Sequence, residues 1–490
     1  MRPVCSVATV RGAEGSAGVA EPVLMQRASA ALAGACLDLL RLQRGSVRGA
    51  RVVALVGPGN NGGDALWALS RLAGRGVRAV VVGEPGRMHR EGAAAARAAG
   101  ARVLDWRDTA VADELRSADL ALDGIVGIGG AGGLREPAAA AVRVLVAAEV
   151  PIVAVDIPSG VDADTGVVVG EAVVAQVTVC FGVLKPGLLV PPGRMHAGSV
   201  TVVDIGLRPE DLEPVAEVLS LSDLAQPGPS QDTHKYRRGV VGITAGSAAY
   251  PGAAVLAVGG ARRSGAGMVA LTPGTHPSVE RLVLARYPDV VLAGDRPVDA
   301  RCVGPGLGAD ARDRVLAALA EPGPVVVDAS GLEVLAWADG RAALAARADR
   351  CTVLTPHAGE FARLGFDTGG GPLAAAVRAA AESGAVVVLK GPGTVVAAPG
   401  GPVHVDTFGT SALATAGSGD VLSGLIAGQL AGAARGGPVS SAEAARIAAR
   451  AVGLHGLAGR LAAADGGVVT ALDVLEHLGS AQVVAATAAG

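Results

Sequence analysis

The chain runs to 490 residues, more than one domain at roughly 100–200 residues each. Half of the residues are apolar and the net charge is −3, so a large core is readily filled and a basic nucleic-acid surface is not expected. Aromatic residues make up only 2%, too few to stack successive bases.

The composition leans toward Gly, Ala, Val and Arg, which makes its rare residues informative. Asn60 and Asn61 are the only asparagines, and they are adjacent. Lys185, Lys235 and Lys390 are the only lysines. Where drift favours arginine, a surviving lysine marks a place that arginine does not fill. The five cysteines (Cys5, Cys36, Cys180, Cys302, Cys351) are far apart with no CxxC pair, which argues against a metal or redox framework and fits a reducing cytoplasm. No apolar run reaches ~18 residues, so no membrane span is expected. The opening MRPVCSVATVRGAEGSAG lacks the apolar stretch of a secretory signal, and the expected location is cytoplasmic. Apolar, Ala-rich helices make a homo-oligomer the expected state.

Taken in chain order, residues 20–44 predict one amphipathic helix. Short β-branched or apolar runs follow at 51–57, 78–83, 118–124, 151–157, 177–182 and 199–206, with Ala-rich helical segments between. Buried strands alternating with helices predict a parallel sheet covered on both faces. The pattern breaks near 208–235, where AQPGPSQD has linker composition. A second α/β pattern then predicts strands at 240–247, 268–273, 288–294, 301–308, 324–330, 352–357, 385–394 and 402–407, and closing helices near 420–433 and 441–463. The expected division is 1–215, a linker at 216–232, and 233–490.

In the first half, GPGNNGGD (57–64) follows a strand and opens a helix, the place where an open α/β sheet binds ligands. Its spacing is neither GxGxxG nor GxxxxGK[ST], so neither a dinucleotide fingerprint nor a P-loop is assigned. An asparagine amide adds a neutral oxygen for a cation and an NH₂ donor; a tight left-handed turn explains the pair equally well at this point. Two more strand ends carry Asp123 before a glycine-rich loop, and Asp156 with Ser159. Asn61, Asp123 and Ser159 are candidates to converge as oxygen ligands of one cation. One carboxylate among neutral oxygens suits a monovalent ion better than Mg²⁺. Asp156 is then left free as a proton carrier, with N-capping as the structural alternative for the aspartates.

In the second half, ATAGSGDVLSG (414–424) places Asp420 in the first turn of a helix behind a glycine-rich turn. Backbone N–H groups of Ala416 to Gly419 and the helix dipole suit a phosphoryl group in transfer, and Asp420 suits removal of a hydroxyl proton. VVVLKGPGTVV (386–396) sets Lys390 and a turn after a strand, fit for nucleotide phosphates. LTPHAGEFARL (354–364) puts His357 and Glu360 where a strand passes into a helix.

These motifs carry two resemblances. VVALVGPGNNGGDA, LDGIVGIGGAGG, VAVDIPSGVDADTG and FGVLKPG, in order over about 10–207, resemble the NAD(P)H-hydrate epimerase domain. That resemblance implies a Rossmann-like α/β/α fold, K⁺ ligands at Asn61, Asp123 and Ser159, and substrate contacts at Asn60, Asn61, Gly62, Gly63, Asp64, Gly127, Ile128, Gly129, Gly130, Ala131, Gly132, Gly133 and Asp156. Ala65 stands where the family usually has Gly, and Ile128 where it commonly has Thr, removing a possible hydroxyl contact. Residues 233–465 resemble the ADP/ATP-dependent NAD(P)H-hydrate dehydratase domain, of ribokinase-like fold. The implied nucleotide contacts are Lys390, Gly391, Pro392, Gly393, Thr394 and Gly419; the implied contacts to the hydrated coenzyme are Asp420, Ala253, Gly306 and His357. Ser330 stands where the family usually has a second Asp, and Asp406 where Asn is common. If that acid helps hold Mg²⁺, the cation needs another ligand, Glu360 or water.

The resemblances imply a bifunctional coenzyme-repair enzyme. Its partners are NADHX and NADPHX with ADP or ATP, its cations K⁺ and Mg²⁺, and its catalytic groups Asp156 and Asp420. Among the two nucleotides, the family and the bacterial composition favour ADP. Two rivals stay open: a ribokinase-like kinase of a vitamin alcohol with a nucleotide-binding N-terminal module, and a first domain that binds without catalysing.

Overall fold

The computed structural model describes residues 1–16, 18–130, 132–226, 228, 232–294 and 296–490. It divides into two units, Pro3–Val215 and Met1–Arg2 with Ala216–Gly490.

The first unit is built on seven parallel strands. Across the sheet they run Arg102–Leu104, Arg78–Gly83, Arg51–Val56, Leu120–Gly124, Ile152–Val155, Val177–Phe181 and Ser199–Val203. Numbered by sequence this is 3-2-1-4-5-6-7, the doubly wound Rossmann order with one strand added. Period-two alternation sends neighbouring residues to opposite faces. Val52, Ala54 and Val56 pack under the helices Glu21–Arg44, Asn60–Ala73 and Arg90–Ala98. Val53 and Leu55 pack under Val111–Arg116 and Ala138–Ala147. The helix Glu21–Arg44 ends at Gly45, whose φ of 69° closes it in the left-handed region. By length and composition alone this helix is long and apolar enough to cross a membrane, which the run-length criterion did not anticipate. Leu24, Leu32, Cys36 and Leu40 bury its apolar stripe against the sheet, as in a core helix.

The second unit carries a large, mostly parallel sheet. From Val291–Leu292 it passes through Met268–Leu271, Val240–Thr244, Ala300–Val303, Val325–Val327, Thr352–Leu354 and Val386–Leu389 in parallel, then turns antiparallel at Val395–Ala397 and Val403–Val405. Ala216–Val218 follows at this edge, parallel to Val403–Val405. Val326 and Val353 face a core shared with Pro251–Arg262, Ser418–Ala434, Ser441–Ala464 and Ala471–Ala489. Val325, Val327 and Leu354 face the opposite core beneath Ala311–Ala320 and Ser330–Leu335. Glycines bring two helices into backbone contact: a Cβ on Gly260 would lie 2.0 Å from the Val421 carbonyl oxygen, and one on Gly424 1.9 Å from that of Ala257.

Three expectations change. The strand expected over 288–294 shortens to Val291–Leu292, because Pro, Gly and Asp surround it. A third closing helix, Ala471–Ala489, begins with a capping box between Thr470 and Asp473. Within 216–232, expected as a linker, Ala216–Val218 joins the sheet and Leu224 is fully buried; residues 227 and 229–231 lie outside the described residues.

Candidate active sites

In the first unit the strand order reverses between Arg51–Val56 and Leu120–Gly124, and the loops leaving these strands part there. A cavity of about 840 Å³ opens at that point, lined among others by Arg11, Glu14, Asn60, Asn61, Asp64, Gly127, Ile128, Gly129 and Asp156. Its size suits a dinucleotide-scale ligand.

The helix Asn60–Ala73 starts at Asn60 itself, with Gly59 as N-cap. Among the described residues only Glu149, Asp156 and Ala329 combine a side chain with a positive φ, so the asparagines do not serve a left-handed turn. Asn60 donates to Glu21 at 2.6 Å. Asn61 lies against Gly127: a Cβ there would come within 3.0 Å of its amide oxygen. The amide nitrogen of Asn61 is buried without a partner.

Asp123 and Ser159 meet directly. The Ser159 hydroxyl donates to Asp123 at 2.6 Å and its backbone N–H at 2.8 Å. The same hydroxyl lies 3.0 Å from the Val126 carbonyl oxygen and accepts from the Val126 N–H at 2.9 Å. Burial pushes the Asp123 carboxyl up to about 6, against the lowering pull of those Ser159 hydrogen bonds.

Asp156 was expected to be free, and it is not. The ammonium of Lys185, itself fully buried, sits 2.5 Å from Asp156 Oδ1 and also donates to the Phe181 carbonyl at 2.9 Å. The Phe181 N–H donates to the same carboxylate oxygen at 2.9 Å. Asp156 is held at φ 65°, a strained backbone for a side-chain-bearing residue at a strand end. The rarity of lysine signalled Lys185; its partner was not readable from sequence.

The remaining residues of these motifs divide between the cavity and the packing. Gly62 and Gly63 are buried: a Cβ on Gly62 would strike the Gly57 carbonyl at 2.3 Å, and one on Gly63 would press on His89 and Met25 at 3.0 Å. Gly130 and Gly133 are packed as tightly, against Val126 and the Val169 carbonyl, and Gly132 turns the chain at φ 77°. Ala131 lies outside the described residues. Ala65 is buried beside Gly124. Ile128 packs on the apolar cluster of Cys5, Val10 and Val183, which accounts for an aliphatic side chain there.

Sequence reasoning missed the helix Val7–Ser16, which brings Arg11 and Glu14 to the cavity. Glu14 is exposed as a residue, but partial desolvation against the cavity wall raises its carboxyl, with the Asp156 charge adding to it. Asp64 stands well above the usual carboxylate range, first through burial and then through the charges of Asp156 and Glu14.

In the second unit the order reverses between Val240–Thr244 and Ala300–Val303. The loops beyond them touch: the Gly246 N–H donates to the Pro305 carbonyl, and a Cβ on Gly306 (φ 61°) would sit 2.5 Å from that of Ala253. Asp420 lies in the first turn of Ser418–Ala434, behind Gly417 at φ 88°. Beside it, Lys390 is 2.9 Å from Asp328 and 3.9 Å from Glu360. A Cβ on Gly419 would be 3.2 Å from the Lys390 ammonium, so the phosphate-binding candidates Lys390 and Gly419 converge. Burial, then the Asp328 charge, raise Asp420 to about 7, while Lys390 pulls it down.

Asp328 is the group that sequence reading overlooked. It is 1% exposed, at the end of Val325–Val327. It stands two residues before Ser330, so an acid reaches this site although the position read as its natural place lacks one. His357 caps the helix Ala358–Arg363, accepting at Nδ1 from the N–H groups of Gly359 and Glu360, while Glu360 accepts from the His357 N–H. Nε2 of His357 lies 3.6 Å from the other carboxylate oxygen of Glu360. Thr394 closes the turn over Gly391–Thr394 through hydrogen bonds with the Gly391 carbonyl and N–H; Gly391 and Pro392 are exposed, Gly393 and Thr394 buried. Asp406 braces the neighbouring loop by accepting from the N–H groups of Phe408 and Gly409.

Each half thus gathers a buried carboxylate and a lysine on a largely parallel α/β sheet, the first beside a cavity at the sheet's switch point and the second at the start of Ser418–Ala434, the arrangement of an α/β enzyme with two small-molecule sites. Residues 21–187 match the family model described as the YjeF-related protein N-terminus, and residues 241–479 the one described as NAD(P)H-hydrate dehydratase. The chain is similar to the bifunctional NAD(P)H-hydrate repair enzyme of Mycobacterium leprae, 44% identical over 485 residues, 95% of each chain. It is similar also to that of Mycobacterium tuberculosis, 44% identical over 451 residues, 88% of this chain and 89% of that one. A crystal structure of the ADP/ATP-dependent NAD(P)H-hydrate dehydratase from Bacillus subtilis, co-crystallized with ATP/Mg²⁺, is 28% identical, with 53% of this chain and 94% of that one covered at a TM-score of 0.43. The chain belongs to the family of bifunctional NAD(P)H-hydrate repair enzymes.

Proposed function

We infer that the chain repairs hydrated nicotinamide coenzymes, its first unit interconverting R- and S-NAD(P)HX and its second returning S-NAD(P)HX to NAD(P)H with ADP or ATP. The observation that carries this reading is that each unit sets its expected carboxylate beside a lysine in a charged cluster: Asp156 with Lys185 at the wall of the first cavity, and Asp420 with Lys390, Asp328 and Glu360 at a helix start.

In the second site hydroxide is a poor leaving group and phosphate a good one. Asp420, raised to about 7, takes the proton of the C6 hydroxyl as that oxygen attacks the terminal phosphorus. Lys390 and the helix start at Gly419 hold the phosphates, with Asp328 fixing the lysine. Phosphate then leaves, assisted by the electron pair of the ring nitrogen. Among the described residues no group of three His, Cys, Asp or Glu side chains forms a ready metal cage, so a Mg²⁺ here would arrive on the nucleotide and need one or two carboxylates at most.

In the first site the cluster of Asp123, the Ser159 hydroxyl, the Val126 carbonyl and the neighbouring Asn61 amide fits a monovalent cation. K⁺ bound there supplies a fixed positive charge beside the substrate. Asp156, oriented by Lys185 and the Phe181 N–H, acts as the proton acceptor. Cytoplasmic placement is supported by five cysteines that are all free and buried.

The test uses purified S-NADHX with ADP or ATP. Asp420→Ala is expected to abolish NADH formation and phosphate release together, while R/S exchange continues. NADH formation surviving in that variant would remove Asp420 from the chemistry.

A further inference from the structure

Four carboxylates line the first cavity: Glu14, Glu21, Asp64 and Asp156. Three are accounted for. Glu21 is exposed and accepts from Asn60. Glu14 is exposed, one helical turn from Arg11. Asp156 is ion-paired with Lys185. Lys185 cannot lend a proton to a ligand, because its three N–H bonds are taken up by Asp156, the Phe181 carbonyl and the Cys180 sulfur. Asp64 remains. It is 7% exposed, and its Oδ1 is buried with no hydrogen-bond partner of any kind.

A buried carboxylate without a donor is costly, and a neutral carboxyl in the same place much less so. Burial without a donor thus favours the neutral form of this carboxyl, and burial followed by the charges of Asp156 and Glu14 raises its affinity for a proton. Two carboxyls in one pocket, one paired with a cation and one buried without a donor, are the pattern of a base and an acid with separate roles.

We propose that Asp64 is the acid partner of Asp156, and that the two epimerise C6 by opening and reclosing the hydrated ring. This rests on the epimerase reading above and deepens it. C6 of the substrate carries both a hydroxyl and the ring nitrogen N1. Asp156 accepts the hydroxyl proton, the C6–O pair becomes a carbonyl, and the C6–N1 bond breaks. The bonding pair passes to N1, which takes a proton from Asp64. The product is an open aldehyde with an N–H. Rotation about C5–C6 offers the other carbonyl face. N1 then returns its proton to Asp64 and attacks C6, and the new alkoxide takes back the proton on Asp156. Atoms and charge balance, both carboxyls end as they began, and no oxidant or co-reactant is required.

The experiment follows R/S interconversion of NADHX by wild-type enzyme in ¹⁸O-water, beside the full-length Asp64→Asn variant in ordinary water. Ring opening keeps the original oxygen through most inversions, because exchange of an aldehyde through its hydrate is slow against reclosure. Loss and re-addition of water at C6 would instead introduce one ¹⁸O per inversion and overturn the proposal. Asp64→Asn keeps size and polarity but holds no transferable acid; kcat for epimerisation is expected to fall about 10²–10⁴-fold with KM little changed. A fall of less than about tenfold overturns the acid role. Hydrogen exchange of Ile152–Val155 and Val177–Phe181 at the wild-type rate reports that the first unit of the variant is folded. The wild-type isotope result needs no variant and stands if the variant is unstable. If wild-type enzyme does not interconvert the epimers at all, the epimerase reading fails rather than this refinement of it.

Discussion

Lys185→Met tests the buried ion pair of the first unit most sharply. The lysine is fully buried and its ammonium lies 2.5 Å from Asp156. At an effective dielectric of ~20 the attraction at that distance is about 7 kcal/mol, and desolvation of the two ions cancels several kcal/mol of it. Removing the cation alone leaves Asp156 buried and uncompensated, a loss of about 3–5 kcal/mol for this unit. Thermal melting of two units together is not a two-state measurement. Hydrogen exchange resolves them: the slowest amides of Ile152–Val155 and Val177–Phe181 are expected to exchange about 10²–10⁴-fold faster. Dehydration of S-NADHX stays at the wild-type rate. Lys185→Met combined with Asp156→Asn removes both charges and is expected to recover much of the loss. Unchanged exchange in the single variant, or a double variant less stable than the single one, would refute the claim that the pair is energetically coupled.

Other outcomes follow from the same geometry. Asp420 must lose its proton to act as a base, so the dehydration rate is expected to rise with pH through about 7. Asp328→Asn removes a negative charge that raises Asp420, so the rising limb of the pH–rate profile moves to lower pH; movement to higher pH would contradict the assignment. Gly306→Val places a branched side chain at φ 61° and 2.5 Å from the Ala253 Cβ; loss of S-NADHX dehydration is expected, with about 1–3 kcal/mol of destabilisation read by hydrogen exchange of Val240–Thr244 and Ala300–Val303. Asn61→Asp is expected to keep the fold by circular dichroism while altering the K⁺ dependence of R/S exchange, whereas a residue serving only the turn would leave that dependence unchanged.

The two α/β layers were legible because hydrophobic period and helix-opening turns are local. Strand order was not, since it is set by which crossovers pack. Yet strand order puts the NNGGD turn opposite the loop after Leu120–Gly124. Site residues on turn motifs could be singled out one by one. Their partners could not, because Asp156 meets Lys185 across 29 residues and Lys390 meets Asp328 across 62. Lysine scarcity pointed at one end of each pair without identifying the other. Glycine in a motif proved ambiguous for the same reason: Gly127 and Gly129 line the cavity, whereas Gly62, Gly63 and Gly133 allow backbone or side chains to pack close. Asn60 and Asn61 resolve in the opposite sense. With no left-handed φ to explain them, they stand at a helix start facing a cavity.

The most direct test of the central claim mixes the purified chain with racemic NADHX, ADP or ATP, and K⁺, and follows the return of NADH absorbance. Full conversion of both epimers is the predicted result. A plateau at half conversion would contradict the epimerase assignment, and no conversion with either nucleotide would contradict the dehydratase assignment.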